Sequence, residues 1–219
     1  MQQLKQSIKH HPNRFRYAAA LIGFLVVVGL FGSLADEVRE GDTLGFDRAA
    51  LVFIRTHFGS PQLDTIMLAL TNTGGVTAVT LITVVALLFM WKHRMYSRSA
   101  ILLLSIGGIA VAVTLLKLLF SRARPTDVGA IVNETTFSFP SGHSMGSMGI
   151  AAAIILLMWP TKWRIPVVVL GVLYVLIVGF SRMYLGAHYP TDVVAGWLLG
   201  AGWVGLVYAI FKSNRRFKI

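Results

Sequence analysis

Apolar residues in this chain neither alternate, as in a half-buried strand, nor recur on one face, as in a surface helix; they run in unbroken blocks. A helix that is hydrophobic all round belongs in a core or a bilayer, and crossing a bilayer takes roughly 20 such residues, fewer where polar ends rest at the interface. Six blocks meet that length: Tyr17–Ala35, Thr73–Trp91, Ser99–Phe120, Ser144–Trp159, Ile165–Phe180 and Thr191–Phe211, each bounded by Gly, Pro or charge. Between the first two, Phe46–Phe58 sets Asp47, Arg48, Arg55 and His57 beside Ala50, Leu51, Phe53 and Ile54. It is too short and too charged to cross, and it predicts a helix lying in the interface. The pattern therefore predicts an all-α integral membrane protein: one domain over residues 1–219, a bundle of six transmembrane helices with a short interfacial helix between spans 1 and 2.

The first block has a basic prelude, Lys5, Lys9, Arg14 and Arg16, and ends in small residues, Ser33 and Ala35, as a secretory signal does. Its apolar run exceeds the usual signal core of roughly 7 to 15 residues, so it is expected to remain as a span.

Composition changes this picture little. Hydrophobic residues make up 55% of the chain and charged ones 13%, a balance a soluble domain would rarely carry. The net charge of +11 would suggest nucleic acid in a soluble protein, but no nucleic-acid module is present and the cations have a simpler distribution. With the amino terminus inside, Lys5, Lys9, Arg14, Arg16, Lys92, Arg94, Arg98, Lys162, Arg164, Lys212, Arg215, Arg216 and Lys218 are cytoplasmic, and every Asp and Glu is outside. Both termini are expected in the cytoplasm of a cell carrying the protein in its plasma membrane. There is no cysteine, which excludes disulfides, thiolate chemistry and Cys-ligated metal.

A few outer cations sit where spans end instead of out in loops. Lys117 precedes Arg124-Pro125, then come Pro140-Ser141-Gly142-His143, then Ser181-Arg182 with His188 and Asp192. The parity of the spans puts all three clusters on one side. Three cations and two imidazoles at one membrane depth are costly unless an anion compensates them, and a phosphate meets that demand. Arg124 and Arg182 offer planar forks to phosphoryl oxygens, with Lys117 as a compact third charge. The fourth span starts at Ser141-Gly142, so its free amides can face the same anion and the Ser141 hydroxyl can add a donor. Asp192 follows His188 by one helical turn and can orient it; a neutral His188 can attack phosphorus while His143 protonates the leaving oxygen.

The pattern K-x6-R-P, P-S-G-H, S-R-x5-H-x3-D resembles the three-part signature of the type 2 phosphatidic acid phosphatase superfamily, and matches it throughout. It is also similar to the site of vanadium-dependent haloperoxidases, soluble relatives in which vanadate takes the place of phosphate, but six spans fit the lipid phosphatase branch. The resemblance implies a two-step reaction without metal or other cofactor. His188 would become a phosphohistidine, His143 would serve as acid and then base with Asp192 behind His188, and Lys117, Arg124, Ser141, Gly142 and Arg182 would hold the phosphate. It further implies a lipid phosphate or diphosphate as partner, with phosphatidic acid, phosphatidylglycerol phosphate and undecaprenyl diphosphate as candidates.

Taken singly, each residue has an ordinary explanation: Lys117 could snorkel at a helix end, either histidine could be structural, and Asp192 could start a helix. Their joint spacing is what points to chemistry. Arg122 reads as a solvated loop charge without a role, and His10, His11, His57 and His93 have no partners at ligand spacing. Two other functions remain open on the same residues: a phosphotransferase passing the phosphoryl group to an acceptor hydroxyl, and an anion transporter, against which stands the lack of a polar trail through the other half of the spans.

Overall fold

The computed structural model describes residues 12–126 and 129–213. Lys5, Lys9, His10, His11, Asp127, Arg215, Arg216 and Lys218 lie outside the described residues, as does the side chain of Arg14. Among the described residues eight helices run in chain order: α1 (Pro12–Glu40), α2 (Leu44–Phe58), α3 (Pro61–Asn72), α4 (Val76–Lys92), α5 (Tyr96–Phe120), α6 (Gly142–Met158), α7 (Arg164–Tyr184) and α8 (Pro190–Ser213). The all-helical, multi-pass character expected from the apolar blocks is present.

Among the described residues four helices, α1, α5, α7 and α8, are long and apolar enough to cross a bilayer on their own. The block expected as the second span is the lower part of a broken pair: α3 and α4 meet at 43° and together make a fifth crossing by length and composition. The expected fourth span, α6, is a 17-residue apolar helix, and lies at the bundle centre against α4, α5, α7 and α8. Burial explains its short length, since Ile150, Ala153 and Leu157 face protein instead of lipid. Outward-facing residues such as Leu81, Val85, Leu115, Leu119, Ile165 and Leu170 are exposed, the surface expected of helices solvated by lipid tails.

The interfacial segment has more structure than the single helix its sequence suggests. Ser60 caps α3 by accepting from the Leu63 amide, with Pro61 in the first helical turn. Arg55 ties α2 to α3 by donating to Asp64 at 2.6 Å, and the Tyr184 hydroxyl, which donates to Asp64 at 2.6 Å, ties the pair to α7.

Close backbone approach fixes the helix that carries Gly142-His143. A Cβ at Gly196 of α8 would stand 2.7 Å from the Ser141 carbonyl oxygen, and one at Gly200 would stand 2.8 Å from that of Met145. Small residues let backbones meet this closely, so α8 delivers its own amino-terminal Asp192 beside the start of α6. On the other flank, a Cβ at Gly75 would stand 3.4 Å from His143 Nε2 and one at Gly74 would stand 2.5 Å from Val178, so the glycine pair at the α3–α4 break serves close packing. Phe139 is buried between Phe31 of α1 and Phe120 of α5, with ring centroids 5.5 and 5.1 Å away. This clasp holds the loop that leads into α6.

Candidate active site

Every sequence-predicted site residue lies at the same end of the bundle, where α5 and α7 finish and α6 and α8 begin. His188 sits in the turn before α8 and is essentially fully buried. Its Nδ1 is 3.4 Å from Asp192 Oδ2, and its Nε2 is 3.3 Å from Arg124 Nη1. A guanidinium can only donate, so Nε2 is the unprotonated nitrogen and Nδ1–H faces the carboxylate. Burial, opposed by the Asp192 contact, pushes the His188 pKa down to about 4 from 6.5, which keeps the ring neutral at neutral pH.

Asp192 is completely buried and saturated with donors. Its Oδ2 accepts from the Ser138 hydroxyl at 2.5 Å and the Tyr189 amide at 2.9 Å, and its Oδ1 accepts from Arg122 Nη1 at 2.5 Å. Arg124 reaches across the site, donating to the Ala187 carbonyl at 2.7 Å and to the Thr136 carbonyl at 2.6 Å. Thr136 also holds Lys117, whose Nζ donates to its hydroxyl at 2.9 Å. Arg182, at the end of α7, is buried; it donates to Thr71 at 2.9 Å and pairs with Glu134, while its Nε has no hydrogen-bond partner among the described residues. Glu134 also lies 3.8 Å from Arg124. Burial alone would raise the Glu134 pKa, but Arg182 and Arg124 outweigh it and hold the carboxyl below its usual range.

Ser141, Gly142 and His143 form the start of α6. Ser141 is fully buried as the cap, its hydroxyl accepting from the Ser144 amide at 3.3 Å and the Ser144 hydroxyl at 3.0 Å. Gly142 and His143 face a cavity of about 700 Å³ shared with Lys117, Arg124, Glu134 and His188. Away from the charges its walls are apolar: Val76 and Val79 of α4, Ile106, Ile109 and Val113 of α5. A second cavity, also about 700 Å³, reaches His143, Arg182 and Glu134 from the α3–α4 break and is bordered by Thr71, Asn72 and Asn133. Among the described residues no three His, Asp or Glu side chains group as metal ligands.

Sequence reasoning missed several members of this site. Arg122 is not a solvated loop charge: it is 11% exposed, bridges Asp192 and Asp47, and lies over the Tyr189 ring at 4.3 Å. Thr136, Ser138 and Glu134 come from a loop with no periodicity to mark them. Asp47 carried a signal, an acid amid apolar residues of an interfacial helix, but its partner is 75 positions away.

The chain is similar to known proteins over most of its length. Residues 98–216 match the PAP2 superfamily. Phosphatidylglycerophosphatase B of Bacillus subtilis is 30% identical over 174 residues, covering 77% of this chain and 83% of that protein. Undecaprenyl-diphosphatase BcrC of the same organism is 34% identical over 161 residues, covering 70% and 77%. The crystal structure of a transmembrane PAP2-type phosphatidylglycerolphosphate phosphatase from Bacillus subtilis superposes with a TM-score of 0.81 at 27% identity, covering 89% of this chain and 98% of that one.

Proposed function

The chain belongs to the PAP2 superfamily, and from that footing we propose that it hydrolyses a lipid-linked phosphomonoester or diphosphate through a phosphohistidine formed at His188. It is a multi-pass membrane protein and a lipid phosphate hydrolase by family. The observation that carries the finer reading is the setting of His188: proton-bearing Nδ1 against a buried carboxylate, bare Nε2 facing a cation-lined cavity whose remaining walls suit an acyl or isoprenoid chain.

In the first step Nε2 of His188 bonds to phosphorus as the bond from phosphorus to the lipid oxygen breaks. His143 gives its proton to that departing oxygen. Lys117, Arg124 and Arg182 balance the phosphoryl charge, with the unpartnered Nε of Arg182 as a ready donor. The first amides of α6 at Gly142 and His143 lack intrahelical acceptors and add to the cradle, and Ser141 fixes their direction as the helix cap. Asp192 holds His188 in the reactive tautomer. In the second step His143 takes a proton from water, the resulting oxygen attacks phosphorus, the phosphorus–nitrogen bond breaks, and inorganic phosphate leaves. The chemistry uses no metal.

Phosphatidic acid, phosphatidylglycerol phosphate and undecaprenyl diphosphate are the substrates of first choice, since each joins a phosphate to chains that fit the apolar wall between α4 and α5. The basic loops opposite the site support an outward-facing active site with both termini in the cytoplasm. A cysteine replacing Asn133 should then react with an impermeant thiol reagent on intact cells, and one replacing Ser97 should not; the reverse pattern would put the chemistry inside.

The purified protein should release phosphate from at least one of these lipids, with chelators having no effect and vanadate inhibiting as a mimic of five-coordinate phosphorus. Activity abolished by chelation and restored by a divalent metal would contradict the mechanism. Phosphate transferred to an added alcohol without release would turn the enzyme into a phosphotransferase.

A further inference from the structure

The catalytic pair has a support on its buried side. We propose that Arg122 and Asp47 are positioning residues, which together fix the Asp192 carboxylate behind His188 and tie it to the interfacial helix α2. This rests on the reading of His188 as nucleophile and Asp192 as its partner.

The two carboxylates share one guanidinium. Arg122 Nη1 donates to Asp192 Oδ1 at 2.5 Å, and Nη2 donates to Asp47 Oδ2 at 2.7 Å. Both acids are 0% exposed. Buried ions are tolerated only when paired and fully hydrogen-bonded, and here they are. Asp47 also accepts from the Thr191 amide at 3.1 Å and the Thr191 hydroxyl at 2.6 Å, one residue before Asp192.

The position of Arg122 is itself set. Ser121 ends α5 in the left-handed region, φ 46°, uncommon for a residue with a side chain, and turns the chain there. The Ser138 amide then donates to the Arg122 carbonyl at 2.9 Å, and Tyr189 lies under the guanidinium. A planar fork fixed at both ends holds Oδ1 of Asp192, while the Ser138 hydroxyl and the Tyr189 amide hold Oδ2, so Arg122 supplies the second point that sets the plane of the carboxylate. Strain at an unusual backbone conformation persists where the surroundings enforce it, often at functional sites.

A staple that merely stabilised the fold would behave differently from a positioning pair. His188 is faced by Asp192 from the first turn of α8, Arg124 and Glu134 from the loop, Lys117 from α5, His143 from α6 and Arg182 from α7, with Arg122 behind Asp192 and Asp47 of α2 behind Arg122. Among these, removing the Arg122 charge leaves Asp192 less neutralised, which makes His188 easier to protonate. Because the attacking ring must be neutral, the acid limb of kcat/KM then moves to higher pH.

The test compares purified variants in one detergent, with melting temperature monitored. His188→Ala is the control and should be inactive; retained activity there would sink the underlying mechanism, not this inference. Arg122→Ala should lower kcat by about 100-fold with KM within about threefold, and move the acid limb up by about half a pH unit or more. Arg122→Lys and Asp47→Asn should each lose about tenfold, because one ammonium cannot span two carboxylates and a neutral amide holds the fork weakly. Asp47→Asn combined with Arg122→Ala should be no worse than Arg122→Ala alone, as expected of residues acting through one contact. If Arg122→Ala does not fold, the two milder variants carry the kcat loss at unchanged KM, with the acid limb unmoved in Arg122→Lys, which keeps the charge, and unmoved or lower in Asp47→Asn, which removes a negative one. Parental kcat in the variants, an unmoved acid limb in Arg122→Ala, or losses that simply add would overturn the proposal.

Discussion

The two sides of His188 are built from the same kinds of charged group and differ in how those groups are balanced. Behind the ring, Asp192, Arg122 and Asp47 are interleaved acid, base, acid, with each carboxylate oxygen given a donor. In front, Lys117 and Arg124 face the main cavity and Arg182 the second one, with Glu134 lining both as the acid between the two arginines. The back, two carboxylates around one guanidinium, is fully hydrogen-bonded and orients the ring. The front is short of negative charge, a deficit that the proposed phosphate dianion would fill. Preorganised cations of this kind favour the charge that develops in the transition state because they need not reorient when it appears.

Variants of the front should break this contrast more sharply than any change to the surrounding loop. His143→Ala is expected to cost on the order of a thousandfold on an alkyl phosphate and much less on an aryl phosphate, whose leaving group needs no proton; equal losses would remove His143 from the role of acid. Arg124→Lys and Arg182→Lys keep the charge but lose the fork, and should each lower kcat/KM by about 100-fold; near-normal kinetics would put both outside the cradle. Thr136→Val leaves both cations in place without the hydroxyl that holds Lys117 and should cost about tenfold, read in the same assay.

Two smaller effects sharpen the comparison. The buried ring of His188, with its pKa near 4 in the resting enzyme, should keep the acid limb of kcat/KM below 6.5 once the substrate's own ionisation is divided out. Its stability contribution has the same sign: the unfolded chain binds the proton more readily between about pH 4 and 6.5, so stability falls as pH is lowered through that window. Glu134→Gln should have the mildest consequence, a KM about threefold lower and stronger inhibition by phosphate, because the competing carboxylate is gone from Arg182. A higher KM would instead make Glu134 a support of the cradle.

Much of this site could be read in the sequence because its main parts occupy helix ends. Odd and even spans alternate direction, so Lys117, His143, Arg182 and His188 had to share a side, and one helical turn separates His188 from Asp192 whatever the fold. The α3–α4 break was harder: Ser60-Pro61 is a helix-start signal, but the segment after it mixes Gln62, Asp64 and Thr65 with apolar residues and is too polar to stand out as a span. Arg122 looked like any loop cation because burial comes from α2 and α8, elements far off in sequence. Thr136, Ser138 and Asp47 act through contacts at separations of 19, 54 and 144 residues, which no local pattern records.

The central claim is that His188 itself carries the phosphoryl group. Enzyme mixed briefly with lipid labelled in its phosphate, then quenched at alkaline pH where a phosphohistidine survives, should retain label that maps to the peptide containing His188 and is released by mild acid. His188→Ala should retain none. Label on any other residue, or turnover in His188→Ala comparable to the parent, would contradict the account.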